Sequence, residues 1–255
     1  MCLLVVAYGL HPRFDLVVGA NRDERHDRAS APLDRWPEFP GLVAGRDLVA
    51  GGSWMGVDAQ GRFAAVTNFR DEEATSAGAP SRGRLVMDFL TGSRSPAAHL
   101  QRLASQAADY AGFSLLVADR DQLWYASNRA PAFARQLAPG VYGLSNHLLD
   151  TPWPKVQFTR QGLRALVDAG NDPLLPLFDL LAERQTPAMP SAAPLPWPAT
   201  SGPFIAHDRY GTRCSTIVTR DAASTRISER GFLAQGVPAG HTQFHFASSP
   251  GIAAA

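Results

Sequence analysis

The chain has 255 residues, 45% hydrophobic and 18% charged, with a formal net charge of +1. Such a composition belongs to an ordinary globular protein able to bury a sizeable core, and argues against a disordered or membrane-embedded chain. The near-zero charge gives no electrostatic reason to expect nucleic acid or an anionic membrane as partner.

The first predicted element is a strand over residues 2–8, hairpinned through Gly9-Leu10-His11-Pro12-Arg13 to a second strand over 16–21. A loop rich in proline and charge is expected from Arg25 to Pro40, followed by apolar strand-like runs at Leu42–Ala44, Trp54–Asp58 and Phe63–Asn68. Asp58-Ala59-Gln60-Gly61 reads as a tight hairpin turn. The pattern then lengthens into helices over Arg82–Leu90 and Ala97–Tyr110, the latter with Ser95 as N-cap and Pro96 at the first helical position. Strands are expected at Phe113–Asp119, Leu123–Ser127 and Val141–Ser145, and helices at Trp153–Ala169 and Leu174–Glu183. Thr186 to Pro203 is loaded with Pro, Ala and Ser and reads as a surface loop or lid. Strands return at Arg213–Thr219, Thr225–Ser228 and His241–Ser248. Strands at both ends with helices between predict one α+β domain over 1–255, built from antiparallel sheets covered by helices.

Cys2 follows the initiator methionine and leads directly into the strand. Removal of Met1, which a small second residue permits, would leave a thiol and a free α-amine on one residue. That amine, with an ordinary pKa of about 7.7–8.0, can act as general base for the thiol beside it, the arrangement of an N-terminal nucleophile. A second reading, a small buried apolar residue, stays open on position alone. Cys214 is the only other cysteine, and it reads as a core residue. The two have no CxxC spacing, which argues against a disulfide framework or zinc knuckle. The N-terminus lacks the basic region of a signal peptide, and a reducing cytoplasm fits best. The seven histidines include no HExxH motif, and His241 and His245, four apart on a strand-like stretch, would stand about 13 Å apart by strand rise, too far for one metal ion, so no metal site is expected. Neither a phosphate loop nor a dinucleotide fingerprint is present.

The second strand ends in Gly19-Ala20-Asn21-Arg22-Asp23-Glu24, which antiparallel pairing returns alongside the chain start. Strand alternation places Asp23 on one face and Arg22 and Glu24 on the other. Asp23 is the favoured partner for the Cys2 amine.

Asn21-Arg22-Asp23-Glu24 behind Met1-Cys2 resembles the NRDE family, whose eukaryotic members are called transport and Golgi organisation proteins. Gly52-Ser53-Trp54-Met55-Gly56-Val57, Ala65-Val66-Thr67-Asn68-Phe69-Arg70, Gly143-Leu144-Ser145-Asn146 and Thr212-Arg213-Cys214-Ser215-Thr216 match it in order. More distantly, the chain resembles the cysteine amidases related to penicillin V acylase and bile salt hydrolase. Those begin Met-Cys and carry Gly-Arg-Asn-x-Asp on the second strand; here the arginine stands two places later, at Arg22.

The resemblance implies an αββα four-layer sandwich of N-terminal nucleophile hydrolase type, with two stacked antiparallel sheets and helices outside. It implies a catalytic set of Cys2, Asp23, Asn68, Asn146 and Arg213, in which the asparagines hold the oxyanion. Arg213 would lower the thiol pKa through its fixed charge. Asn21, Arg22, Trp54 and His147 are the candidate ligand contacts. Two functions follow as expectations. One is hydrolysis of a linear or cyclic amide without a cofactor. The other is non-catalytic carriage of haem, acyl-CoA or a lipid-like ligand, with haem as cargo. Both imply a small-molecule partner, no nucleic acid and no stable membrane insertion.

Overall fold

The computed structural model describes residues 3–70, 78–186 and 202–247. Among the described residues, thirteen strands form two antiparallel sheets. The first sheet has the order β10-β1-β2-β11-β12-β13, with β1 Leu3–Tyr8, β2 Leu16–Arg25, β10 Gly140–Leu144, β11 Tyr210–Arg220, β12 Ser224–Phe232 and β13 Pro238–Ala247. The second runs from β3 Ser30–Arg35 through β4 Val43–Asp47, β5 Met55–Val57, β6 Phe63–Asn68, β7 Phe113–Ala118 and β8 Leu123–Ser127 to β9 Ala134–Leu137. The helices are α1 Gly83–Leu90, α2 Pro96–Ala104, α3 Pro154–Ala169 and α4 Leu174–Leu181.

Three cores stack through the molecule. Between the sheets lie Leu4, Val6, Leu16 and Val18 against Met55, Phe63, Ala65 and Leu116. Leu3, Val5, Ala7, Val17 and Ile217 face outward onto Val156 and Leu163 of α3 and Leu177 and Phe178 of α4. On the far side, Ala64, Val66, Leu115 and Val117 pack on Leu85 and Phe89 of α1 and Leu100 and Leu103 of α2. This is the α+β four-layer sandwich the resemblance implied. It also explains why Leu3–Ala7 is an unbroken apolar run: a strand covered on both faces must be apolar at every position.

Ser95 caps α2 as expected, its Oγ accepting from the Ala98 N–H at 3.4 Å with Pro96 at the first helical position. Two expectations are corrected: the Arg25–Pro40 loop contains strand β3, and the helix expected to reach Tyr110 stops at Ala104, with a short 3₁₀ turn over Ala107–Asp109. Strand β9, Ala134–Leu137, was not foreseen. Of the proposed loop from Thr186 to Pro203, residues 187–201 lie outside the described residues.

The registers bring several strand ends to one place. Leu3 opposes Asn21, Leu4 opposes Leu144 and Thr212 opposes Asp23. The start of β1, the ends of β2 and β10 and the start of β11 therefore share one end of the sandwich. At the opposite end Arg220, fully buried, joins the sheets: its Nε and Nη2 donate to Asp15 Oδ2 at 2.8 and 2.6 Å, and its Nη1 to the Gly61 carbonyl at 2.6 Å.

Candidate functional site

Beyond Ala20, β2 changes from apolar to polar while remaining buried through Asp23. Its side chains keep alternating between the helix side and the space between the sheets. Asn21 faces the helices: its amide donates to the carbonyls of Leu181 at 2.9 Å and Pro203 at 2.8 Å, and its Oδ1 accepts from Ser215 Oγ at 2.6 Å. Both amide hydrogens are thereby used, so Asn21 anchors the end of α4 and has no N–H left for a ligand. Asp23 lies on the same side, where Oδ1 accepts from Thr212 Oγ1 at 2.7 Å.

Arg22 and Glu24 take the other face and line a cavity of about 320 Å³ with Asp47, Trp54, Asn68 and Arg82. Arg22 is 4% exposed, and its guanidinium carbon stands 4.2 Å from the centroid of the Trp54 ring. Its nearest carboxylate, Asp47 Oδ2, is 3.8 Å from Nη2, and Nη1 reaches Ser30 Oγ at 3.5 Å. These are long contacts for a buried guanidinium. Asp47 is committed to Arg28, whose Nε donates to its Oδ2 at 2.8 Å. Burial works to raise the Asp47 carboxyl pKa, but the Arg28 hydrogen bond and the Ala50 and Val49 N–H groups outweigh it and hold it below its ordinary value. Trp54 can lie where it does because Gly45 has no Cβ; any side chain there would collide with the indole. Arg22, Arg28 and Arg82 face Glu24 and Asp47 around this cavity, leaving an excess of positive charge.

Asn68 ends β6 in one sheet, and Asn146 follows the end of β10 in the other. The structure brings them together: Asn146 Nδ2 donates to the Asn68 carbonyl at 3.4 Å, and the Asn146 carbonyl accepts from the Arg70 N–H at 2.8 Å. Asn146 has φ +51°, a left-handed conformation that asparagine tolerates better than other side-chain-bearing residues. The neighbouring His147 sits outside the cavity. Its Nδ1 is hydrogen-bonded to Thr151 Oγ1 at 2.8 Å and its ring packs 4.6 Å from that of Phe69. Burial lowers its pKa.

Arg213 does not line the cavity. It occupies the register shift between Thr212 and Cys214, a bulge that turns it away from the ladder. There its Nη1 donates to the carbonyls of Arg25, His26 and Arg28 at 3.0, 3.3 and 3.1 Å, bracing that turn. Cys214 is buried between the sheets, and burial followed by the neighbouring Glu229 pushes its thiol pKa well up. Cys2 lies outside the described residues.

The structure thus gathers Arg22, Trp54 and Asn68 in one cavity, with Asn146 bonded to Asn68. Asn21 and Asp23 lie behind the sheet, and Arg213 and His147 brace adjoining turns. Sequence reading missed Arg28, Asp47 and Arg82, which lie far apart in the chain and carry no local signal. Among the described residues, no group of three or more His, Cys, Asp or Glu is arranged to hold a metal ion. No helix among them is long and apolar enough to cross a membrane.

A family model described as Transport and Golgi organisation 2 matches residues 1–233. The chain is similar to the Transport and Golgi organization protein 2 homolog of Bos taurus, with 31% identity across 91% of this chain and 94% of that protein. It is similar to the Homo sapiens homolog, with 31% identity across 87% of this chain and 89% of that protein. Among solved structures it is similar to a Caenorhabditis elegans N-acylethanolamine-hydrolyzing acid amidase ortholog, at 14% identity and a TM-score of 0.46, covering 85% of this chain and 92% of that one.

Proposed function

Because the chain belongs to the Transport and Golgi organisation 2 family, and its Met1-Cys2 start, Asn21 and Asp23 resemble the cysteine amidases, we propose that it is an N-terminal nucleophile amidohydrolase. Its substrate is a small amide bearing an anionic group. The observation that carries this reading is the cavity at the strand ends, charged around its lining and containing the loosely engaged Arg22.

After Met1 is removed, the Cys2 amine takes the thiol proton, and the sulfur attacks the amide carbonyl carbon. The developing oxyanion draws on the side-chain amides of Asn68 and Asn146. Collapse breaks the C–N bond, and the proton passes from the Cys2 ammonium to the leaving nitrogen, giving a thioester. Water, deprotonated by the same amine, then cleaves the thioester to the carboxylic acid and restores the thiol. Asp23, buried and held by Thr212, orients the amine. Arg22 receives the anionic group of the substrate, with its guanidinium plane set by the Trp54 face. A haem or acyl-chain carrier needs an apolar cleft, so the charged lining of this cavity favours the amidase over carriage at this site.

Intact-mass spectrometry together with hydrolysis of a panel of N-acyl amino acids tests the proposal. The expected result is a mass lacking Met1, and turnover that falls at least about 10³-fold in Cys2→Ala. A retained Met1, or equal turnover in Cys2→Ala, overturns it.

A further inference from the structure

Away from this cavity, on the opposite face of the first sheet, a second cleft of about 510 Å³ opens where α4 ends its cover of the sheet. It is lined by Phe178 of α4, by Ala182 just past the end of that helix, by Phe232 of β12 and by Pro238 of β13. Arg230 and His241, directly opposed in register on β12 and β13, supply its polar side. The Arg230 guanidinium carbon lies 4.2 Å from the centroid of the Phe178 ring. His241 meets the same ring edge-on at 6.2 Å and is held through Nε2 by Ser228 Oγ at 2.8 Å. Phe232 is held upright by an edge contact with Phe204 at 4.8 Å.

The neighbouring outward-facing arginine on β12 provides the contrast. Arg226, four residues earlier on the same strand face, donates from Nη2 to both carboxylate oxygens of Asp172, at 2.8 and 2.9 Å. No carboxylate pairs with Arg230 among the described residues. A guanidinium held over an aromatic ring can still offer N–H groups, whose fork matches the two oxygens of a carboxylate. The cleft volume falls in the range of small-molecule sites, which are mostly apolar with a few placed polar groups.

We propose that this cleft binds an aryl carboxylate, independently of the amidase reading. The carboxylate lies against Arg230 beside His241, and the aromatic body lies along the half-buried ring of Phe232. The Phe232 and His241 rings favour a planar ring over a flexible chain, because ring contacts add offset or edge interactions beyond area burial.

Naphthalene-2-carboxylate, its neutral carboxamide and decanoate are the probes, titrated into the full chain by calorimetry and by NMR of the histidine side chains. The expected result is saturable naphthoate binding that shifts the His241 resonances. The carboxamide should bind roughly tenfold more weakly, as for loss of a charge-assisted hydrogen bond. Arg230→Gln should reduce naphthoate affinity to the carboxamide level with an unchanged melting temperature, whereas Arg226→Gln and Arg22→Gln should leave it unaltered. Equal binding of naphthoate and carboxamide, unchanged affinity in Arg230→Gln, or tighter binding of decanoate overturns the proposal.

Discussion

Arg220 and Arg22 lie on neighbouring strands, at opposite ends of the same sandwich, and both are almost completely buried. Arg220 is saturated: three short hydrogen bonds tie it to Asp15 and to the Gly61 turn of the other sheet. Arg22 has an aromatic face beneath it, and among the described residues its side-chain polar contacts are long, 3.5 Å to Ser30 Oγ and 3.8 Å to Asp47 Oδ2. The desolvation cost is of the same kind for each, but only the first recovers it within the chain. A buried charge that the fold itself satisfies is a clasp, and one that the fold leaves loosely met is, under the proposed function, the group that receives the substrate anion. The two ends therefore answer differently to substitution.

The largest effect is expected at the closed end. Arg220→Gln removes the clasp and strands the Asp15 carboxylate and Gly61 carbonyl, so unfolding free energy should drop by about 3–5 kcal/mol. At roughly 2–4 °C per kcal/mol for a chain of this size, the melting temperature should fall by roughly 6–20 °C. A shift of only a degree or two by calorimetry would break the comparison.

Acid sharpens the same contrast. Near the clasp, Arg62 stacks 4.0 Å over the Phe89 ring, and His99 meets that ring edge-on at 5.2 Å. Burial first, then Arg62, Arg94 and Arg102, push the His99 pKa down from 6.5 to about 4. The folded state holds this ring neutral. Its contribution is complete above pH 6.5 and is lost as pH falls toward 4, by up to about 3 kcal/mol at 1.36 kcal/mol per unit. Urea unfolding at pH 7 and pH 4.5 should show a smaller acid loss in His99→Gln than in the parent chain. Identical acid losses would remove His99 from the account.

The smallest effect on stability is expected at the open end. Arg22→Gln gives up one cation–aromatic contact and long polar contacts, about 1 kcal/mol or less, while relieving a poorly paired buried charge. The melting temperature should hardly move. Turnover of an anionic amide should nevertheless fall about 10- to 100-fold, through KM more than kcat, with neutral amides little affected. A large drop in stability with unchanged KM would make Arg22 a second clasp.

The sequence readings fail where burial is one-sided. β3 and β9 were not foreseen, and both are edges of the second sheet, where one partner strand and one covered face impose little apolar pattern. Ser30–Arg35 also contains Pro32 and three exposed positions, which disguise a strand that an edge tolerates. The central strands were legible because both faces are covered and every residue must be apolar. At the site, alternation correctly opposed Asp23 to Arg22 and Glu24. The accompanying expectation, that Asp23 faces the site and Arg22 and Glu24 point away from it, differs from the structure, where Arg22 and Glu24 line the cavity and Asp23 meets Thr212 on the other face.

By itself the sequence determined the two-sheet α+β class, the central strands, the cap of α2 and the family. These are set by local periodicity, capping chemistry and ordered motifs, all of which act within a few residues. Only the tertiary structure decided that Asn68 meets Asn146, that Asp47 is claimed by Arg28 rather than Arg22, and that a bulge turns Arg213 onto the 25–28 turn. Those outcomes depend on how far one sheet slides over the other and where one ladder slips by a residue. They are fixed by packing between segments distant in the chain, for which neighbouring residues leave no trace.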